Sequence, residues 1–420
     1  MMLKRILMGL FGLIGFAAFV IWMNGHVVTA ETSAVLASEW SGFKRISNSG
    51  QKASVPSLAI QSNGTLHAAF EQGTPNEDPY YVTSVDGVSW TTPQVISTNS
   101  ATTIVDKVDI AVANNGIVHA AWIENNDLND THSLMYASRS GSSWSAPEAV
   151  EVVTKGPTTT LQQPSLLVDG GRVFIVWTSG IDVQFASRNA GTWTPTKIGE
   201  FALPEIAIDS NGTLHVAFLD DFGKFVVQYI QSTDSGATWS TAVTLSPFSK
   251  DVQDVDLTVD GTTVHIAYGA KDTSSSPSVP YYTTCSANCS VEASWPTAET
   301  ITGLEIGTRP ADAILLSPSI AVDDHGYALV FFHGVLQENL NFEQVVGACY
   351  DPLTKGGRDF KLPTAFSERM VKPQTVYVNG DLHVVYEQIR GQAASTDFQE
   401  IHYAKLDVSC FNLYLPLISK

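Results

Sequence analysis

The chain has 420 residues, with 42 acidic against 23 basic side chains and a formal net charge of −19 at pH 7. Phosphate backbones and anionic lipid repel a polyanion of this size, so nucleic acid is excluded as an expected partner. Charged residues are only 15% of the sequence, and Ser, Thr and Gly fill much of the rest, which suits short strands and tight turns better than helices.

At the N-terminus, Lys4 and Arg5 precede an uninterrupted apolar run, Ile6–Met23, and Val28-Thr29-Ala30 offers small residues to a signal peptidase. Residues 1–30 read as a secretory signal; the alternative is a retained membrane anchor, because the run is near the lower length for a spanning helix. Either way the body of the protein lies outside the cytoplasm and meets a membrane only through an uncleaved N-terminal segment. Cleavage after Ala30 removes two basic and no acidic residues, leaving 21 against 42 and a net charge of −21.

One unit then recurs seven times: a Gly, an alternating apolar stretch and a closing aromatic. It reads GTLHAAF at 64–70, GIVHAAW at 116–122, GRVFIVW at 171–177, GTLHVAF at 212–218, GTTVHIAY at 261–268, GYALVFF at 326–332 and GDLHVVY at 380–386. A short apolar strand, often led by proline, precedes each unit, as in PSLAIQSNG from Pro56 and PEIAIDSNG from Pro204. The Asn-Gly, Asp-Gly and Gly-Gly pairs between them are hairpin turns, since both central residues need positive φ. A third strand follows, as in YYVTS at 80–84 and IHYAK at 401–405, and a fourth opens on Trp90, Trp144, Trp193, Trp239 or Trp295. Four strands per unit make a propeller blade.

The segment Trp40–Ser47 resembles an isolated fourth strand, while the last repeat, ending near Leu406, lacks one. Pairing the two closes the ring and leaves no lone edge. With an imperfect strand at Phe360, seven fourth strands match seven hairpins. The expected fold is an all-β propeller of seven four-stranded blades, or six if one degenerate repeat is an insertion. It forms a single domain over residues 38–408, followed by an apolar tail at 409–420 that reads either as a sorting signal or as an extra edge strand.

Cys285, Cys289, Cys349 and Cys410 are even in number in an exported chain, which favours disulfides. Four cysteines allow three pairings; the simplest joins Cys285 to Cys289 across a turn and leaves Cys349 with Cys410. No His or Cys cluster has zinc spacing, so no metal or other cofactor is expected beyond calcium on surface carboxylates.

The turn Ser232-Thr-Asp234-Ser-Gly236-Ala-Thr238-Trp239 resembles the Asp box of the sialidase-like (BNR repeat) propellers, with a shortened form at Ser84–Trp90. The resemblance covers roughly residues 38–408 and implies the propeller fold. It also implies that Asp86 and Asp234 shape turns on the face away from any active site. Sialidases hold a substrate carboxylate with three arginines, one in a Phe/Tyr-Arg-Ile-Pro segment; the nearest string here, Phe43-Lys44-Arg45-Ile46-Ser47, has an extra residue and no proline. His67, His119, His215, His265 and His383 share one repeat position, which points to packing, because catalysis breaks symmetry.

Antiparallel strands put the short, repetitive turns on one rim and the long, individual loops on the other, where function is expected. Just past the second-strand aromatic lie Glu71, Glu124, Asp220 with Asp221, and Glu387. They are candidates for a carboxylate-lined mouth, able to act as acid and base on a glycoside or to bind calcium. Arg309, Arg369 and Arg390, with Asp312 and His333 nearby, fall on loops of the same rim and could clamp an acidic sugar. Tyr80, Tyr81, Tyr281 and Phe342 are candidates for stacking on pyranose rings. The leading expectation is an exported, monomeric propeller that binds carbohydrate or an extracellular protein. The alternative is a glycoside hydrolase, of exo-sialidase type, or a polysaccharide lyase acting on an acidic glycan.

Overall fold

Apolar alternation between Gly-containing turns folds the chain into consecutive antiparallel hairpins. The computed structural model describes residues 22–23, 26–27 and 40–407, apart from 74–75, 99–102, 157–158, 189–190, 273–277, 302–314, 336–342, 352–356, 362–367 and 391–397. The chain divides into Met1–Ser38 and Glu39–Lys420. In the first unit only the pair Trp22–Met23 with His26–Val27 is described, so the signal-like run lies largely outside the described residues. Among the described residues no helix is long and apolar enough to cross a membrane.

The second unit is a ring of seven blades. Their first and second strands are Ala53–Ile60 and Leu66–Gln72, Thr103–Val112 and Val118–Asn126, Leu161–Asp169 and Arg172–Ser179, and Ala202–Ile208 and Leu214–Asp221 in blades 1 to 4. In blades 5 to 7 they are Asp251–Asp260 and Thr263–Lys271, Leu315–Val322 and Ala328–Val335, and Glu368–Val378 and Asp381–Arg390. The fourth strand of blade 2 is split into Ser143–Trp144 and Glu148–Thr154. Gly357–Lys361 is the fourth strand of blade 6, as the Phe360 segment predicts. Trp40–Arg45 pairs with Phe398–Asp407 to complete blade 7, which is the expected closure.

The first strands contact one another in cyclic order, from blade 1 round to blade 7 and back, so they form the innermost wall. The core is divided among seven apolar clusters, each spanning one joint between neighbouring blades. Aromatic pairs repeat around the ring at these joints. A third-strand ring meets the next blade's Trp in Tyr81–Trp144, Tyr136–Trp193, Phe185–Trp239, Tyr229–Trp295 and, across the closure, Tyr403–Trp90. Tyr282–Tyr350 and Phe331–Trp40 serve the remaining two joints.

The five repeated histidines are buried, and each Nδ1 lies 2.6–2.7 Å from the hydroxyl of its blade's third-strand Tyr. In the Ser232–Trp239 turn, Asp234 accepts from the Thr238 N–H and hydroxyl, and Ser232 Oγ accepts from the Gly236 N–H. Asp86 holds the Ser84–Trp90 turn in the same way through the Ser89 and Val88 N–H groups, which lower its pKa to about 2. Cys285 and Cys289 form the expected disulfide. Cys349 is also disulfide-bonded, while Cys410 and the tail lie outside the described residues.

Candidate functional site

Each first strand carries a bulge against its second strand, with a register shift in all seven blades. In six blades the bulge residue has positive φ: Val55, Lys107, Gln163, Leu203, Ser317 and Lys372. In five of these six a proline follows, which has no N–H to leave unpaired. Such a bulge bends the strand and re-aims the side chains that follow it.

The next inward-facing position is Ser57, Asp109, Ser165, Glu205, Asp256, Ser319 and Gln374 in blades 1 to 7. In five blades this side chain accepts a hydrogen bond from the backbone of the following blade. Ser57 Oγ takes the Ile110 N–H at 3.2 Å, Asp109 Oδ2 the Leu166 N–H at 2.7 Å, and Ser165 Oγ the Ile206 N–H at 3.3 Å. Asp256 Oδ2 takes the Ile320 N–H at 2.8 Å, and Ser319 Oγ the Thr375 N–H at 2.9 Å. The two longer side chains, Glu205 and Gln374, form no such bond among the described residues. A short side chain at this position locks one blade to the next; Glu205 instead hydrogen-bonds with Ser165 of blade 3.

Four carboxyls meet on this wall: Asp109, Glu205, Asp254 and Asp256. Each is packed round by protein yet keeps partial exposure. Burial pushes Asp109 up to about 6 and Asp256 up to about 7, the latter helped by the charges of Asp254 and Asp109. Glu205 is raised well above the usual carboxylate range by burial and by Asp256 and Asp109, against a hydrogen bond with Ser165. Asp254 is raised by burial, while the Lys107 ammonium of blade 2 and the Ser317 N–H oppose the rise. At neutral pH this wall therefore offers carboxylic O–H donors beside carboxylate acceptors, the pairing that binds sugar hydroxyls or transfers protons to a glycosidic oxygen.

Strand alternation divides the acids predicted just past the second-strand aromatic. Glu71, Glu387 and His333 follow the aromatic directly, and each accepts the bulge N–H of the next blade, from Lys107, Val55 and Lys372 respectively. Glu71 is 3% exposed, also accepts the Ser54 hydroxyl, and is pushed up to about 8 by burial and the nearby Asp106 and Glu77. Glu387, equally buried, is ion-paired with Lys372 at 3.2 Å. Glu124 and Asp220 lie one residue further on, facing the other way. Glu124 accepts the Trp122 indole N–H, and Asp220 caps the Asp221 N–H. Arg369 and Arg390 sit at the same end of blade 7, where Arg369 opposes Ile389 on the strand that Arg390 ends. Arg309, Asp312 and Phe342 lie outside the described residues. Arg45 is on the outermost strand, ion-paired with Glu400. Tyr81 and Tyr281 are buried in the joints, not offered to a ligand.

The four wall carboxyls were missed because they sit within strands that read as scaffold. For Asp109, Glu205 and Asp256 the signal is a departure: aligned on the bulge, PSL, VDI, PSL, PEI, VDL, PSI and PQT differ at one position where Ser is commonest, whereas Asp254 lies before it.

No family model matches the chain, and no curated protein matches its sequence. Among solved structures it is similar to a Dyadobacter fermentans protein of unknown function, at 12% identity and TM-score 0.51 over 87% of this chain and 99% of that one. A polysaccharide lyase, ulvan lyase, bound to an oligosaccharide of glucuronic acid and sulfated rhamnose, matches at 11% identity and TM-score 0.56 over 86% and 95%. The α-L-arabinofuranosidase of Fusarium graminearum, with an iminosugar inhibitor, matches at 13% identity and TM-score 0.50 over 86% and 98%. At these identities the likeness is one of fold.

Proposed function

We propose that the chain is an exported, carbohydrate-directed propeller that holds a glycan at the axial wall lined by Asp109, Glu205, Asp254 and Asp256. The observation that carries this reading is Glu205. At a position where Ser or Asp bonds to the next blade in five of the seven, Glu205 and Gln374 do not among the described residues, and of these two only Glu205 presents an acid, one that holds its proton. Glycan-active neighbours on the same fold and a disulfide suited to an oxidising compartment support it. An array of neutral and acidic glycans, followed by calorimetry on the hits, tests it. E205Q keeps the shape but loses the acid, and is expected to weaken binding about tenfold. Unchanged affinity in this variant would remove the axial site from the reading.

A second reading, hydrolysis or lyase cleavage, is favoured by the unequal pKa values on the wall, which set a proton-holding Glu205 beside the more acidic Asp109. Turnover of a fluorogenic sialoside or a uronic-acid polysaccharide, abolished in E205Q, would establish it. Loss of that turnover in Arg369→Ala would extend the site to the arginines of the rim, with Arg309 and Arg390.

A further inference from the structure

Two phenylalanines stand out in the solvent on the loop rim between blades 4 and 5. Phe222, in the turn between the second and third strands of blade 4, is 59% exposed, and Phe248, in the connection to blade 5, is 60% exposed. Their rings lie 5.4 Å apart at 90°, so they present two apolar faces at a right angle. Phe225, which opens the third strand just after the turn, is also exposed.

The loops that carry these rings are stapled together. Lys224 Nζ donates to Ser249 O at 2.6 Å and to Asp272 O at 2.8 Å, tying the Phe222 turn to the Phe248 connection and to blade 5. The Phe225 N–H donates to Asp251, the Gly223 N–H to Asp221 and the Lys250 N–H to Pro247 O, while Lys250 is ion-paired with Asp272. Leaving a Phe side chain in water forgoes the stabilisation of burying it. A pair held there by a hydrogen-bonded frame marks an interaction site.

We propose that Phe222 and Phe248, with Asp221 beside them, form a subsite for one neutral sugar ring. The inference rests on the carbohydrate reading above and adds to it a second point of contact and a class of sugar. A sugar ring has an apolar C–H face, which an aromatic ring accepts, and peripheral hydroxyls, which carboxylates accept. Asp221 spends Oδ1 on the Gly223 N–H of the turn, leaving Oδ2 for a hydroxyl. The local charge selects against an acidic sugar: Asp221, Asp251 and Asp272 lie on the loops that hold the pair, and the ammoniums of Lys224 and Lys250 are already engaged. Three exposed rings supply too little area for a stable protein interface, which buries about 1,200–2,000 Å².

The test uses the purified chain with arabinobiose, xylobiose and cellobiose as neutral probes and a glucuronate disaccharide as the acidic one. Binding is read by calorimetry and by saturation-transfer NMR. A neutral probe is expected to bind the wild type, and Phe222→Ala with Phe248→Ala to weaken it about tenfold. The corresponding Tyr variants, which keep the rings, should stay near wild type, and equal melting temperatures show that the exposed substitutions leave the fold intact. Unchanged affinity in the double Ala variant overturns the subsite, as does preference for the acidic probe or a wild-type dimer that the double Ala variant dissolves. Weakening by E205Q alone would leave the axial reading standing and the subsite refuted. Failure of every probe and of the array to bind would remove both.

Discussion

Glu71 illustrates at the residue scale how the fold uses an acid. Its carboxyl is buried against Ser54 and the Lys107 N–H, and its pKa is pushed up to about 8 from an ordinary 4.5. Between those values the folded state binds more protons than the unfolded chain, so the stability from this group is lost as pH rises through 8. E71Q, whose amide oxygen accepts the Lys107 N–H and whose NH2 donates to a reversed Ser54 hydroxyl, carries no titrating proton and should melt above wild type at pH 9 and match it at pH 5 in a thermal scan. A deficit at both pH values would show that the group is ionised in the fold. The histidines act in the opposite sense. His67, His119, His265 and His383 are lowered to about 4 by burial, so their contribution is lost as pH falls from 6.5 towards 4. The histidines' structural role is legible in their repetition. That of Glu71 is not, because its partner is a bulge in another blade.

At the scale of the element, the turn between third and fourth strands decides how closely blades approach. Gly236 has φ +89°, and a Cβ there would lie 2.2 Å from the Phe185 ring of blade 3. Gly141, in the equivalent turn of blade 2, has φ +64° but open space around it. Gly141→Ala should therefore cost only the left-handed strain, about 1–2 kcal/mol. Gly236→Ala adds a displaced aromatic joint, about 1–3 kcal/mol more. Urea unfolding of both variants checks the order; equal losses would mean that the Phe185 joint yields freely. The first-strand bulges belong to this scale too, and they were harder to read. The Pro of PSLAI or PEIAI marks a strand start in sequence, whereas the bulge before it, and the bond to the next blade after it, exist only once a second blade is alongside.

Closure of the whole molecule rests on one six-residue strand. Trp40–Arg45 pairs with Phe398–Asp407, and Trp40 packs on Phe331 of blade 6, so the chain's beginning holds its end. Deleting residues 1–47 exposes the Phe398–Asp407 edge and should give a destabilised, self-associating protein by light scattering, recoverable in part by adding the peptide Trp40–Ser47. A monomer with wild-type stability would show that the closure is dispensable.

The amino-acid sequence by itself determined the hairpins, the number of blades, the closing strand, the Cys285–Cys289 pair and the structural role of the repeated histidines. All of these follow from local periodicity or from copies of one motif, which a linear reading captures. Only the tertiary structure decided which side chains meet at the axis and which aromatics remain in water. Asp109, Glu205, Asp254 and Asp256 come from three blades and converge because the ring closes. Glu205 differs from its Ser counterparts in reach, a property that matters only against a neighbouring backbone. Phe222 and Phe248 stand together because Lys224 ties their loops, an arrangement that neither segment's own pattern encodes.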